Sequence, residues 1–325
     1  MTVETVSLNT GAKLPLLGLG TWQAKDPSEL SAALRIALDN GYHLIDTAHI
    51  YGNEAVIGEV LDEYYKAGKL KREDVFITTK LPFYAMEPAD AEKLIPEQLK
   101  NLRTTYIDLY LVHCPCPLKF KDPSNPSIRE ADVIKGNTPH IDTWRVLEKF
   151  YKSGVLKALG LSNFNGKQIQ ALYDQAEIKP ANLQVECHIY WPQFELHELC
   201  KKLKITFTAY GPIGSPGRKA ARPDQYWPDA NPLEDPLVLE FSKKYNKTPA
   251  QVLLRHLTQR EISVIPKSTN AKRVAENFNI FDFKLTPDEV KKLDSVEKRV
   301  RLFEFRFCKG SPFFPFDDVD LSLDL

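Results

Sequence analysis

Short apolar runs recur along the chain and alternate with longer amphipathic stretches. Eight of the runs are mostly apolar without a strict alternation, as is typical of parallel strands that are covered on both faces. They lie at 17–21, 43–48, 75–81, 108–114, 158–164, 182–188, 206–212 and 263–268. We therefore predict eight buried parallel strands.

The stretches between these runs predict helices. Ser28 precedes an apolar stripe and is predicted to cap the first helix. Gly154 follows another amphipathic stretch and is typical of a helix end. The remaining predicted helices lie at 88–104, 141–153, 165–176, 194–203, 233–245, 250–257 and 271–277.

Eight βα repeats fit two α/β architectures, a doubly wound sheet and a (β/α)8 TIM barrel. The number of repeats and their unbroken alternation favour the barrel. No linker or compositional break divides the sequence, so we predict a single domain over residues 1–325. The segment 6–14 has turn residues in its middle and predicts an N-terminal β-hairpin, and 299–325 predicts a long C-terminal loop.

Three connections, at 115–138, 214–232 and 299–325, are longer than a compact barrel needs and are expected to form walls of a site. The last of them is rich in phenylalanine. Its aromatic side chains, together with Trp227, have two alternative positions: capping the pocket, or sealing the bottom of the barrel.

Composition narrows the class of protein. The 43 Lys and Arg residues balance 43 Asp and Glu residues, which argues against a nucleic-acid binder or a polybasic membrane binder. No long apolar run predicts a membrane span, and no signal peptide is recognised, so we expect a cytoplasmic protein. Five cysteines at irregular spacings fit free thiols in a reducing compartment.

Two motifs are close to known binding patterns but do not match them. Gly18 and Gly20 resemble two of the three glycines of a Rossmann fingerprint, but Gln23 stands at the third position. Cys114 and Cys116 are separated by one residue and lack the spacing and partner ligands of a zinc site. We therefore expect no metal.

Four polar residues lie at or just after the ends of three consecutive predicted strands, the second to the fourth. They are Asp46, Tyr51, Lys80 and His113. The carboxyl ends of barrel strands share one mouth, where chemistry occurs. Taken singly, such residues are more often surface ion pairs or core histidines. Their combination predicts a catalytic site instead.

The roles of these four residues follow from their charges. A phenol has a pKa of about 10 in water, and a nearby ammonium lowers it. We therefore expect Lys80, held in its charged form by Asp46, to tune Tyr51 as a general acid. A neutral His113 is expected to orient a carbonyl oxygen.

A second group of residues suits a nicotinamide dinucleotide. Tyr210 offers a stacking face, and amide-compatible donors and acceptors are supplied by Ser162, Asn163 and Gln184. Lys267 and Arg273 flank the start of the last predicted helix and suit a 2′-phosphate. These residues predict NADPH as the cofactor.

Three segments, 41–54, 156–164 and 265–273, resemble the three signatures of the aldo-keto reductases, most nearly those of the aldose, aldehyde and xylose reductase group. The resemblance implies a (β/α)8 barrel, NADPH-dependent reduction of aldehydes and ketones, and a catalytic tetrad at the four residues named above. It also places the cofactor on Gly20, Thr21, Trp22, Gly214, Ser215, Ser268, Thr269, Asn270, Glu276 and Asn277.

The resemblance extends to the substrate, a small carbonyl compound. The expected pocket consists of Trp22, Ile50, His113, Cys114 and Trp227. Many relatives of aldose reductase have tryptophan after the histidine, whereas this chain has Cys114, so we expect a locally wider pocket. Relatives of this type are commonly monomers, and a dimer is the alternative.

Two other functions fit the same barrel. Lys80 as a Schiff-base residue would make the protein an aldolase. A slow regulatory or binding protein that retains NADPH is the second alternative, because the family includes potassium-channel β subunits and lens crystallins.

Overall fold

The computed structural model describes residues 3–122, 124, 129–223 and 226–322. Its core is a barrel of eight parallel strands, in agreement with the prediction. In chain order the described strands are β1 (Thr5–Ser7), β2 (Lys13–Pro15), β3 (Leu19–Gly20), β4 (Leu44–Asp46), β5 (Phe76–Leu81), β6 (Leu109–Val112), β7 (Leu118–Phe120), β8 (Val133–Lys135), β9 (Leu159–Ser162), β10 (Asn182–Glu186), β11 (Thr206–Tyr210) and β12 (Ile262–Val264).

The barrel strands follow one another in the order β3, β4, β5, β6, β9, β10, β11 and β12. Parallel bridges join Leu17 to Val264 and Gly20 to Lys267, so the last strand returns to the first and the sheet closes. Within this register Gly20 lies opposite Asp46. The ends of β3, β4 and β12 therefore meet at one mouth.

The glycines near β3 are needed for this closure. A Cβ atom at Gly20 would lie 2.4 Å from the carbonyl oxygen of Ile265, and one at Gly18 would lie 2.4 Å from Cγ of Leu44. Both distances are far below van der Waals contact. The glycine pair that resembles a Rossmann fingerprint thus permits close approach of barrel strands.

Helices surround the barrel. They are α1 (Pro27–Asp39), α2 (Glu54–Lys66), α3 (Pro88–Asn101), α4 (His140–Lys152), α5 (Gly166–Gln175), α6 (Phe194–Lys202), α7 (Arg218–Ala221), α8 (Pro236–Tyr245), α9 (Pro249–Gln259), α10 (Ala271–Phe278) and α11 (Pro287–Asp294). The apolar faces of α1 to α6 pack on the strands, and a buried leucine there contributes about 1.5–3 kcal/mol.

The prediction of the first helix start was wrong by two residues. Asp26, not Ser28, is the N-cap of α1, because its Oδ1 accepts from the amides of Ser28 and Glu29 at 2.8 and 2.9 Å. Pro27 then occupies the first helical position, where its missing N–H costs no hydrogen bond. Helices α2, α7 and α11 were not predicted.

The predicted N-terminal hairpin is confirmed, since β1 and β2 pair antiparallel. Its Leu8 and Leu14 pack against Leu109 and Leu111 of the barrel interior. The hairpin therefore closes the amino-terminal end of the barrel. The phenylalanine-rich tail lies elsewhere: Phe303 and Phe305 line a cavity at the opposite end.

The long connection after β6 contains the antiparallel pair β7 and β8, which sequence patterns did not reveal. Among the described residues, none of the helices is both long enough and apolar enough to cross a bilayer.

We expect Gly20→Ala to destabilise the fold by about 1–3 kcal/mol, because the added methyl group overpacks the barrel seam. Urea unfolding followed by circular dichroism measures the loss. Gly217→Ala is the matched control, because a Cβ there meets no atom within 4 Å. Equal stability of the two variants would contradict the role assigned to Gly20.

Candidate active site

A cavity of about 1230 Å³ opens at the carboxyl ends of the barrel strands. Almost every residue that the sequence suggested lines it, and the exceptions are Lys80, Gly214 and Asn270. The predicted residues in its wall are Gly20, Thr21, Trp22, Asp46, Ile50, Tyr51, His113, Cys114, Ser162, Asn163, Gln184, Tyr210, Ser215, Trp227, Lys267, Ser268, Thr269, Arg273, Glu276 and Asn277.

A buried ion pair lies below this cavity. Nζ of Lys80 donates to Oδ1 of Asp46 at 2.6 Å and to the carbonyl oxygen of Thr47 at 2.8 Å. Nε2 of Gln184 donates to the other Asp46 oxygen at 2.7 Å. Burial raises the pKa of Asp46 and lowers the pKa of Lys80, while their mutual attraction opposes both shifts.

The burial and hydrogen bonds of Lys80 argue against the alternative that this lysine forms a Schiff base in an aldolase. Lys80 has no exposed side-chain surface, it does not line the cavity, and its ammonium is held by Asp46 and Thr47. A Schiff base needs a neutral amine that reaches a substrate carbonyl. The geometry therefore disfavours Lys80 as a nucleophile.

Tyr51 connects the ion pair to the cavity. It ends the 3-10 turn His49–Tyr51 after β4, and its hydroxyl lies 3.5 Å from Nζ of Lys80. Its ring meets the ring of His113 edge-on, with centroids 5.7 Å apart. The phenol and the imidazole thus face the same space.

The expected direction of the Tyr51 pKa is wrong for the cofactor-free protein. Burial raises this pKa well above its ordinary value, and the Asp46 carboxylate raises it further. The expectation included Asp46 only as the group that keeps Lys80 charged, and it left out the direct effect of that carboxylate and of burial on Tyr51. In the structure Asp46 compensates the charge of Lys80, so the cost of burying a phenolate dominates.

Burial keeps the His113 imidazole neutral, and a hydrogen bond holds the His113 backbone at the end of β6. Burial lowers its pKa well below the ordinary value, and the nearby Lys80 ammonium adds to the effect. Its carbonyl oxygen accepts from Nδ2 of Asn163 at 2.9 Å. A neutral imidazole is a hydrogen-bond donor that requires no protonation, as the sequence argument expected.

Asn163 has a special backbone geometry. Its φ is 64°, in the left-handed region that asparagine tolerates better than most residues. This conformation lets its side chain bond to His113, while its Oδ1 accepts from the hydroxyl of Tyr210 at 2.8 Å. Asn163 therefore ties the ends of β6, β9 and β11 together.

The other end of the cavity is basic. Lys267, Ser268 and Arg273 line it where α10 begins, and Nε of Arg273 lies 3.4 Å from Oγ of Ser268. The side chain of Asn270 caps α10 by accepting from the amide of Arg273 at 3.1 Å. Asn270 thus orients the helix start.

Arg218 organises the loop after β11, and sequence patterns gave no sign of it. This buried guanidinium donates to the carbonyl oxygens of Gly214, Pro228 and Ala230 at 2.7–2.8 Å. Since a guanidinium offers several fixed donors, it holds turns that have no regular secondary structure. Gly214 therefore shapes the loop from behind the cavity.

Phe303 of the C-terminal tail completes the aromatic wall. Its ring contacts the rings of Trp22, Tyr210 and Trp227, with centroid distances of 5.4–5.6 Å. The carboxylate of Glu186 accepts from the amides of Leu302 and Phe303 at 2.6 and 3.0 Å. Glu186 thus anchors the tail to β10, a contact that its strand position alone did not indicate.

The cysteines after β6 have a third neighbour that the sequence did not show. The sulfur atoms of Cys114, Cys116 and Cys308 all lie within 4.8 Å of one another. Cys308 comes from the tail, 194 positions from Cys114. The premise that Cys114 and Cys116 lack a partner ligand is therefore wrong.

The structure thus brings a buried Lys–Asp pair, a tyrosine and a histidine together at the mouth of a parallel (β/α)8 barrel. Comparison with known proteins gives the class of this barrel as an NADP-dependent oxidoreductase. The aldo/keto reductase family model matches residues 16–298, so the chain belongs to this family. Its members act on small carbonyl compounds with NAD(P)H as cofactor.

Named relatives support the assignment over nearly the full length. Aldo-keto reductase family 1 member A1 of Bos taurus is 40% identical over 331 residues, covering 98% of this chain and 99% of the relative. Its Rattus norvegicus counterpart is 41% identical over 98% of this chain and 99% of the relative. The aldose reductase structure from Schistosoma japonicum superposes with a TM-score of 0.88 at 41% identity, covering 97% and 99% of the two chains.

The raised pKa of Tyr51 predicts the outcome of an ultraviolet titration of the cofactor-free protein. The difference in phenolate absorption between wild type and Tyr51→Phe should stay near zero below pH 10, because burial keeps the phenol protonated. Tyr173→Phe, on helix α5, is the matched control, because it removes a half-buried tyrosine that does not line the cavity. A phenolate signal from Tyr51 near neutral pH would restore the expectation drawn from the sequence.

Proposed function

We propose that the protein reduces aldehydes and ketones to alcohols with NADPH, and that Tyr51 is the proton donor. The observation that carries the proposal is the Tyr51 hydroxyl, which faces the cavity beside His113 and contacts the buried Lys80–Asp46 pair at 3.5 Å. The family assignment supports the coarser reaction, carbonyl reduction.

The residues present fit a phosphorylated nicotinamide dinucleotide. The cavity wall carries the aromatic face of Tyr210 and the hydroxyl of Ser162 at the strand ends. Its basic end carries Lys267 and Arg273 around the amino terminus of α10, where exposed amides and the helix dipole favour phosphate. We assign the 2′-phosphate of NADPH to this basic end.

The cofactor, when bound, supplies a hydride to the carbonyl carbon. The protein supplies the proton: the Tyr51 hydroxyl donates it to the carbonyl oxygen, so that hydride and proton together yield the alcohol. Lys80 stabilises the phenolate that remains, and Asp46 fixes Lys80 at 2.6 Å. His113, kept neutral by burial, donates a hydrogen bond that orients the carbonyl oxygen.

The substrate end of the cavity combines aromatic and small side chains. Trp22, Phe303 and Trp227 form an aromatic wall, and Cys114 contributes a small side chain next to His113. Such a pocket binds the apolar part of a carbonyl compound while the polar site holds its oxygen. We place Ile50 beside the reacting carbonyl, because it lines the same cavity.

We further propose that the enzyme works as a monomer in the cytoplasm, with residues 1–325 forming one domain. All five cysteines of the chain are free, and each is buried, which fits a reducing compartment. Sedimentation at working concentration measures the oligomeric state.

Tyr51→Phe should lower kcat for carbonyl reduction by about 10²–10⁴-fold, because it removes the proton donor and leaves the ring in place. NADPH binding, measured by fluorescence titration, should be unchanged. Tyr173→Phe on α5 is the control and should keep full turnover. Near-wild-type turnover in Tyr51→Phe would overturn the assignment, and negligible turnover of the wild type on a broad carbonyl panel would favour the regulatory alternative.

Arg273→Ala should reduce the preference for NADPH over NADH by about 10–100-fold, because a charged hydrogen bond to the 2′-phosphate is lost. The ratio of kcat/KM for the two cofactors measures this preference. Lys272→Ala is the matched control, since Lys272 is the preceding cation on the same helix and does not line the cavity. An unchanged ratio in Arg273→Ala would place the phosphate elsewhere.

A further inference from the structure

The cysteine cluster of Cys114, Cys116 and Cys308 takes no part in the proposed hydride and proton transfer, and only Cys114 of the three lines the cavity. Cys114 and Cys116 follow β6, and Cys308 ends the 3-10 turn Arg306–Cys308 of the tail. All three side chains are at most 1% exposed. Three nucleophilic sulfurs from distant parts of the chain therefore share one apolar pocket, whose other members include Phe83 and Leu118.

We propose that Cys114, Cys116 and Cys308 form a three-thiolate binding site for Zn²⁺. Zinc prefers thiolate ligands at about 2.3 Å in a tetrahedral arrangement, which places neighbouring sulfurs about 3.8 Å apart. The Cys114 and Cys308 sulfurs are 3.9 Å apart, and every pair in the cluster lies within 4.8 Å. Small side-chain rotations bring all three to coordination distance.

The number of sulfurs favours an ion over a disulfide. A disulfide joins two sulfurs and leaves the third without a partner, whereas a metal ion engages all three. The ligand type also favours zinc. Thiolate sulfur is a soft ligand that binds Zn²⁺, whereas Ca²⁺ and Mg²⁺ bind oxygen ligands.

The fourth coordination position is open to exogenous ligands. Within the described residues, no further His, Cys, Asp or Glu ligand atom belongs to the group. Cys114 lines the large cavity, so water or a small anion reaches the ion from that side. Three protein ligands with one exchangeable position are typical of accessible zinc sites.

Co²⁺ titration of the reduced, metal-free protein tests the site, with a phosphine reductant present to exclude disulfides. We expect the visible bands of tetrahedral, thiolate-bound cobalt to saturate at one equivalent and to disappear when Zn²⁺ is added. Cys116→Ala and Cys308→Ala should lose the bands and bind Zn²⁺ about 100-fold more weakly. Cys200→Ala, which removes another fully buried thiol in α6, should behave as wild type.

X-ray absorption at the zinc edge, on wild-type protein, gives a test that does not depend on whether a variant folds. Three sulfur neighbours at about 2.3 Å are expected, with one lighter atom. Zinc bound only through nitrogen and oxygen, or cobalt bands that survive in folded Cys308→Ala, would overturn the proposal. Neither measurement depends on the reductase activity.

Discussion

The buried pair of Lys80 and Asp46 is the interaction on which the rest of the site depends. An ammonium in a barrel interior is tolerated only with a carboxylate and further acceptors at hydrogen-bond distance. Asp46 and the carbonyl oxygen of Thr47 accept from Lys80, and Gln184 donates to the second oxygen of Asp46. Since these residues come from β4, β5 and β10, the pair also fixes the relative positions of three strands. The Tyr51 hydroxyl is positioned against this fixed charge.

Burial affects the acid–base groups of the mouth in different ways. It raises the pKa of Tyr51, which keeps the proton available, and it lowers the pKa of His113, which keeps the imidazole neutral. These are the protonation states that the proposed reduction starts from, with Tyr51 as proton donor and His113 as hydrogen-bond donor. Because the raised pKa makes Tyr51 a weaker acid, the proposed mechanism relies on the Lys80 ammonium to stabilise the phenolate. If the Tyr51 and His113 side chains were exposed to solvent, their pKa values would not be shifted by burial.

The C-terminal tail supplies part of the pocket wall. Glu186 holds the tail by two backbone amides, so Phe303 meets Trp22 and Trp227 across the cavity. A few residues further on, the same tail carries Cys308 to the cysteines after β6. One anchored segment therefore determines both the aromatic wall and the proposed zinc site.

The sequence by itself determined the eight strands, the hairpin and the residues at the strand ends, because hydrophobic periodicity and barrel geometry are local signals that repeat. It did not reveal Arg218, the anchoring role of Glu186 or the proximity of Cys308, and it gave the wrong direction for the Tyr51 pKa. The contacts of Glu186 with Leu302 and of Cys308 with Cys114 join residues 116 and 194 positions apart. The contacts of Arg218 are local, but the burial of its guanidinium and of the Tyr51 phenol is set only by the folded barrel.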